Sequence, residues 1–184
     1  LDHFNAKFFF LKNIFFQSMP ITIAILGYSV AATIVFTYVG LFGEYAVAGY
    51  GSATRIEQVL LLPILGINTA IISIIAQNIG AKYYDRVEQS YFTSIKYGLF
   101  IMLIAGVVIF ISADIVPKFF SSNPEVIMYG SMYLKISAFI LPAYPIFFLS
   151  NGFFMALKKS EKAMLNNIVR NVVVPILSFY IARF

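Results

Sequence analysis

The 184-residue sequence has no cysteine, a single histidine and few charges. Without cysteine there can be no disulfide and no thiolate metal site. His3 stands alone near the start, and no His/Asp/Glu cluster has metal-ligand spacing, so no metal site is expected. Charged residues make up 11% of the chain and hydrophobic residues 60%, whereas an ordinary soluble domain is about 25% charged. Mean hydropathy is +0.86. A soluble domain of about 150 residues buries only about 70% of its unfolded-chain surface, so this much apolar side chain cannot be hidden inside a globule. The composition implies an integral membrane protein. Catalytic groups are equally scarce: there is no Ser/His/Asp set, no phosphate-cradling glycine loop and no pair of intramembrane carboxylates. The chain is not expected to be an enzyme. Its net charge of +5 is explained by loop lysines facing anionic lipid, and nucleic acid is not expected as a partner.

What the sequence does have is a series of long uncharged runs. They are apolar on all sides, which rules out the alternating pattern of a membrane β-barrel. The expected fold is all-α, a polytopic bundle with spans at residues 16–43, 54–81, 92–116, 124–157 and 163–184, forming one domain over 1–184. The connections GEYAVAGYGSAT, KYYDRVEQSYFTS, PKFFSSNPEVI and KKSEK are short, and Asp85 and Glu88 read as solvated loop residues. Lys7, Lys12, Lys82, Arg86, Lys158, Lys159 and Lys162 cluster on one side of this topology, which predicts a cytoplasmic N-terminus. The opening LDHFNAKFFFLKNIFF lacks the pattern of a secretory signal and reads as an amphipathic lead-in. The closing FYIARF stops in an apolar segment, and a fragment of a longer polypeptide is expected.

Polar residues inside spans are expensive unless partnered or facing a wet cavity. Gln58, Asn68, Gln77 and Asn78 fall in the second span, Asn151 in the fourth, and Asn166, Asn167, Arg170 and Asn171 in the fifth. They serve either as interhelical glue or as cavity lining, and as a set they favour a cavity. Pro20, Pro63, Pro142, Pro145 and Pro175 lie in or at the start of spans and are either static kinks or bending points. In YGSATRIEQVLLLPILGINT, Gly51 and Ser52 suggest a turn. Arg55 could reach back across it to Glu44, while Glu57, two positions on, points elsewhere. These three charges are candidates for an interfacial ion pair or a gate. No span interior is expected to hold an Asp or Glu.

The stretch VAGYGSATRIEQVLLLPILGINTAIISIIAQNIGAKYYDRVEQS resembles the multidrug and toxic compound extrusion (MATE) family, and MALKKSEKAMLNNIVRNVVVPI supports the likeness. The resemblance implies about five spans of a six-helix lobe in a twelve-helix transporter, most of its C-terminal lobe. It implies efflux of amphipathic or cationic organic compounds by exchange for Na⁺ or H⁺, in a prokaryotic plasma membrane, with this lobe rocking against the remaining one. Tyr28, Gln58, Asn68 and Asn151 would line the cavity. Acid-bearing family members carry a Glu where this chain has Tyr28 and an Asp where it has Phe147. The coupling ion is therefore expected in the missing lobe, and no other cofactor is expected. The alternatives are a lipid-linked oligosaccharide flippase, for which Arg170 is the one intramembrane cation, and a non-transporting membrane subunit.

Overall fold

The computed structural model describes residues 2–173. Uninterrupted apolar runs leave the backbone no hydrogen-bond partner but itself, and helix is the result. Among the described residues there is no strand. The helices are α1 (Asp2–Gly40), α2 (Glu44–Gly80), α3 (Tyr84–Ser112), α4 (Pro124–Ile140), α5 (Tyr144–Ala156) and α6 (Ser160–Ile168), and a π-helical turn covers Val169–Val173. Short 3-10 turns lie at Val116–Phe119 and Leu141–Ala143. Three stretches are long and apolar enough to cross a membrane: α2, α3 and Pro124–Ala156. Ile25–Gly40 of α1 is a shorter apolar helix. Of the five spans expected, the structure thus has three of full length among its described residues. The fifth is described only to Val173, and Pro175 lies outside the described residues.

Two starts differ from expectation. α2 begins at Glu44, ten residues ahead of the expected span, and α3 begins at Tyr84 and takes in Asp85 and Glu88, which were expected in a loop. The supposed turn around Gly51 and Ser52 is helix. The Ser52 and Thr54 hydroxyls donate back to the carbonyls of Gly49 and Gly51, at 2.9 and 3.0 Å, so they satisfy themselves without leaving it. In the other direction, the expected fourth span is broken. Pro142 sits in the 3-10 turn that separates α4 from α5, where a missing N–H interrupts the backbone ladder.

The turns after α2 and α5 match. Tyr83 N–H reaches back to the Asn78 carbonyl and Lys159 N–H to that of Phe154, each at 2.9 Å. Lys82 (φ 61°) and Lys158 (φ 58°) take the left-handed position that such helix ends usually give to glycine. α4 starts on a different device. The Asn123 side chain accepts from Glu125 N–H at 2.9 Å, with Pro124 in the first turn.

Phe36–Phe153 forms one compact unit and the flanking chain another. In the flanking unit, Thr22, Ser29 and Thr33 of α1 each donate to the carbonyl four residues back. In the larger unit, contacts between α2 and the α4–α5 stretch advance together from Gly49–Gly130 through Glu57–Ser137 to Asn68–Gly152. The two therefore run parallel, and α3 returns antiparallel against both. Ala53, Ile64, Met102, Ile109, Leu134 and Leu141 make up much of the core. Large apolar side chains face outward: Phe100 is 61% exposed, Ile111 74% and Phe139 76%. A surface this apolar suits lipid and not water.

Small residues set the helix spacing. A Cβ on Gly49 would lie 2.7 Å from the Val126 carbonyl oxygen and 2.8 Å from Tyr129 Cβ, whereas one on Gly51 would meet nothing within 4 Å. Gly49→Ala should therefore lower stability by about 1–3 kcal/mol through overpacking. Gly51→Ala should raise it by about 0.5 kcal/mol, since the site is helical. Unfolding midpoints of the two variants in detergent check this, and a loss at Gly51 would restore the turn.

Candidate functional site

Ala46, Gly49, Ala53, Glu57, Ile64, Ile71 and Ile75 form the buried stripe of α2. Glu57 is the charged member of that stripe, 6% exposed and 13 positions into the helix. Its partners come from α4 and α5. Oε2 accepts from Tyr133 Oη at 2.5 Å and from Ser137 Oγ at 2.9 Å, and Oε1 accepts from Tyr144 Oη. Tyr133 and Ser137 are four apart, so one face of α4 supplies both hydroxyls. Tyr144 is the first residue of α5, directly after the Pro142 break. Behind Tyr133 the rings of Tyr50 and Phe36 continue edge-on, at centroid distances of 5.1 and 5.0 Å. No lysine or arginine forms an ion pair with Glu57 among the described residues. A buried carboxylate held only by hydroxyls is a site that water and charge do not neutralise.

This corrects two expectations. The second span does hold an acid in its interior, because the helix begins at Glu44 and Glu57 faces the core. Glu44 and Arg55 do not form a pair. They lie eleven positions apart on one continuous helix, about 16 Å along its axis. Both are exposed, and Arg55 sits about 160° around the helix from Glu57.

The proposed cavity residues are only partly brought together. Asn68 packs against Gly152, whose missing Cβ leaves room for its amide, and this places it beside the buried Asn151. Asn68 Oδ1 is buried and accepts no hydrogen bond. Gln58 is exposed, and Tyr28, in the flanking unit, is 55% exposed. A groove of about 370 Å³ between α2 and α3 is lined by Ile67, Ile71, Gln89 and Thr93 among others, and by none of these four. Gln77, Asn78 and Asn167 bond within their own helices, to Ser73 Oγ and to the carbonyls of Ile74 and Ala163. Of the prolines, Pro63 is exposed within unbroken α2, Pro142 marks the break, and Pro145 is buried against Gly98. Phe147 is half-buried, with its ring 5.3 Å from that of Phe148.

The MatE family model matches residues 20–181. The chain belongs to the MatE family. Over 150 residues it is 28% identical to the probable multidrug resistance protein YpnP of Bacillus subtilis, covering 82% of this chain and 32% of that protein. It is 26% identical over 136 residues to the FAD transporter of Shewanella oneidensis, covering 74% and 29%. A crystal structure of a MATE protein in complex with MaL6 superposes with a TM-score of 0.81 at 25% identity, over 89% of this chain and 37% of that one. An outward-facing MATE multidrug resistance transporter gives 0.78 at 24% identity, over 84% and 35%. The chain spans about a third of the length of the curated relatives it matches. It is an integral membrane protein of the all-α MATE fold, as its sequence resemblance implied.

A second polar cluster ties the far end of α3 to α4. Asp114, just after α3, forms an ion pair with Lys135 at 2.8 Å and accepts from Ser131 Oγ. The Lys135 and Ser131 hydrogen bonds hold the Asp114 carboxyl below its usual value of 3.8. A lowered carboxyl contributes stability above 3.8 and loses it as pH falls through its own lower value. Asp114→Asn should remove that acid-dependent part, flattening the decline in unfolding midpoint below pH 3.8. An identical acid decline in the variant would show the pair to be idle at the surface.

Proposed function

We propose that this chain is most of the C-terminal lobe of a cation-coupled multidrug efflux transporter. It lies in a prokaryotic plasma membrane with its N-terminus cytoplasmic and works against a second lobe of the same polypeptide. The observation that carries the reading is the MatE match over 20–181, joined to a length about a third that of relatives named for multidrug resistance. The substrate is an amphipathic or cationic organic compound, and Na⁺ or H⁺ moves in exchange. The contact of Asn68 with Asn151–Gly152 is a closed polar seam between α2 and α5, whose amides a substrate would meet only as the two helices part. Access alternates as one lobe rocks against the other. The break at Pro142 gives α5 a joint of its own within this lobe.

The test is dye efflux from cells or proteoliposomes carrying the full-length polypeptide, with and without pH and Na⁺ gradients. Gradient-dependent export of cationic dyes is expected. Absence of gradient-driven export for every cationic dye tried would reject the reading.

A further inference from the structure

Among the described residues the lobe holds a buried acid at Glu57, 6% exposed. What distinguishes its surroundings is that all three partners are hydroxyls. An ammonium, a guanidinium or a backbone N–H can only donate, and any of them would hold the carboxylate in one charge state. A hydroxyl donates or accepts according to how it rotates. With Glu57 ionised, Tyr133, Ser137 and Tyr144 all donate to it. With Glu57 protonated, its new O–H donates to one of these oxygens, and that hydroxyl turns its hydrogen elsewhere. Both states keep the carboxyl hydrogen-bonded without moving a heavy atom. Donor–acceptor distances of 2.5 and 2.9 Å leave no gap for a metal cation between carboxylate and hydroxyls. No group of three or more His, Cys, Asp or Glu that could hold a metal ion occurs among the described residues.

We propose that Glu57 is a proton-loading carboxyl within this lobe, and that its proton sets the strength of the tie between α2 and the start of α5 across the Pro142 break. The proposal rests on the transporter reading for its purpose, but not for its chemistry. Ionised, Glu57 makes charge-assisted bonds to α4 on one oxygen and to α5 on the other. On protonation the carboxyl gains H⁺ on one oxygen, the charge disappears, and those bonds become ordinary neutral ones. The joint between α4 and α5 is then held less firmly against α2. The titratable groups facing Glu57 are Tyr133 from α4 and Tyr144 from α5, with Tyr50 of α2 behind Tyr133. α3 supplies apolar side chains to the adjoining core, among them Met102 and Ala105. Lys135, two positions from both Tyr133 and Ser137, is engaged by Asp114.

The test separates chemistry from transport. Infrared difference spectra of the full-length polypeptide in bilayers, recorded from alkaline to acid pH, should show the high-frequency carbonyl band of a desolvated carboxylic acid. That band should be lost in Glu57→Gln. In Tyr133→Phe it should persist and move to higher frequency, one hydrogen bond being gone, and this variant keeps the test decisive if Glu57→Gln does not fold. A band unchanged in Glu57→Gln, or no such band at any pH, overturns the proposal. So does a band abolished at every pH when Na⁺ replaces K⁺, which would make the site a sodium site. In the full-length polypeptide, Glu57→Gln should retain dye binding and lose export driven by a pH gradient. Unaltered pH-driven export overturns the coupling role. A Glu57-dependent band in a protein that exports nothing overturns the transporter reading and leaves the protonation chemistry standing.

Discussion

Inside a bilayer no water completes a hydrogen bond, and most of the polar groups described above are disposed accordingly. The backbone satisfies itself as helix. Hydroxyls such as those of Thr22, Ser52 and Thr69 turn back to carbonyls of their own helix. Amides such as Asn78 do the same. Other groups reach between helices, among them Glu57 to α4 and α5, Tyr91 to Ser150 at 2.8 Å, and Asp114 to Ser131 and Lys135. Since lipid is as apolar as leucine, burial of leucine cannot by itself hold such a bundle together. Close backbone approach at Gly49 and Gly106 and these polar ties do so.

The same constraint explains which parts of the molecule could be read in advance. Run length and lack of charge revealed the membrane class, the helical fold and the approximate place of α2, α3 and the Pro124–Ala156 stretch, because crossing lipid leaves a mark on every residue involved. The family was legible in one motif. The turn expected at Gly51 and Ser52 was misplaced because glycine carries two meanings. In water it most often marks a turn, whereas here Gly49, two residues earlier, marks where α2 and α4 touch. Which meaning applies depends on a partner helix some 80 residues away, and no local pattern contains it.

The site was harder still. Once α2 is extended back to Glu44, Glu57 falls on the stripe of Ala53 and Ile64, four before it and seven after. That signal was present but hidden by the wrong helix start. Tyr133, Ser137 and Tyr144 carried no warning beyond the four-residue spacing of the first two, since tyrosine and serine in an apolar helix are ordinary. Their role comes from the parallel course of α2 and α4, which sets them opposite one acid. Glu44 and Arg55 illustrate the reverse case, two opposite charges whose apparent kinship depended on a turn that does not exist.

The sequence distance between Glu57 and its hydroxyls bears on how the protein is made. Tyr133, Ser137 and Tyr144 follow it by 76, 80 and 87 residues. A ribosome working from the N-terminus delivers α2 to the membrane well before it has synthesised any of them. For that interval the acid is without its final company, and an acid at the middle of a span raises the insertion free energy by about 2.5–3.5 kcal/mol. The uncharged run from Gln58 to Ala81 must carry it in unaided. The hydroxyl ties that set α2 against its neighbours in the finished fold are therefore complete only once the third helix of its own unit has been made.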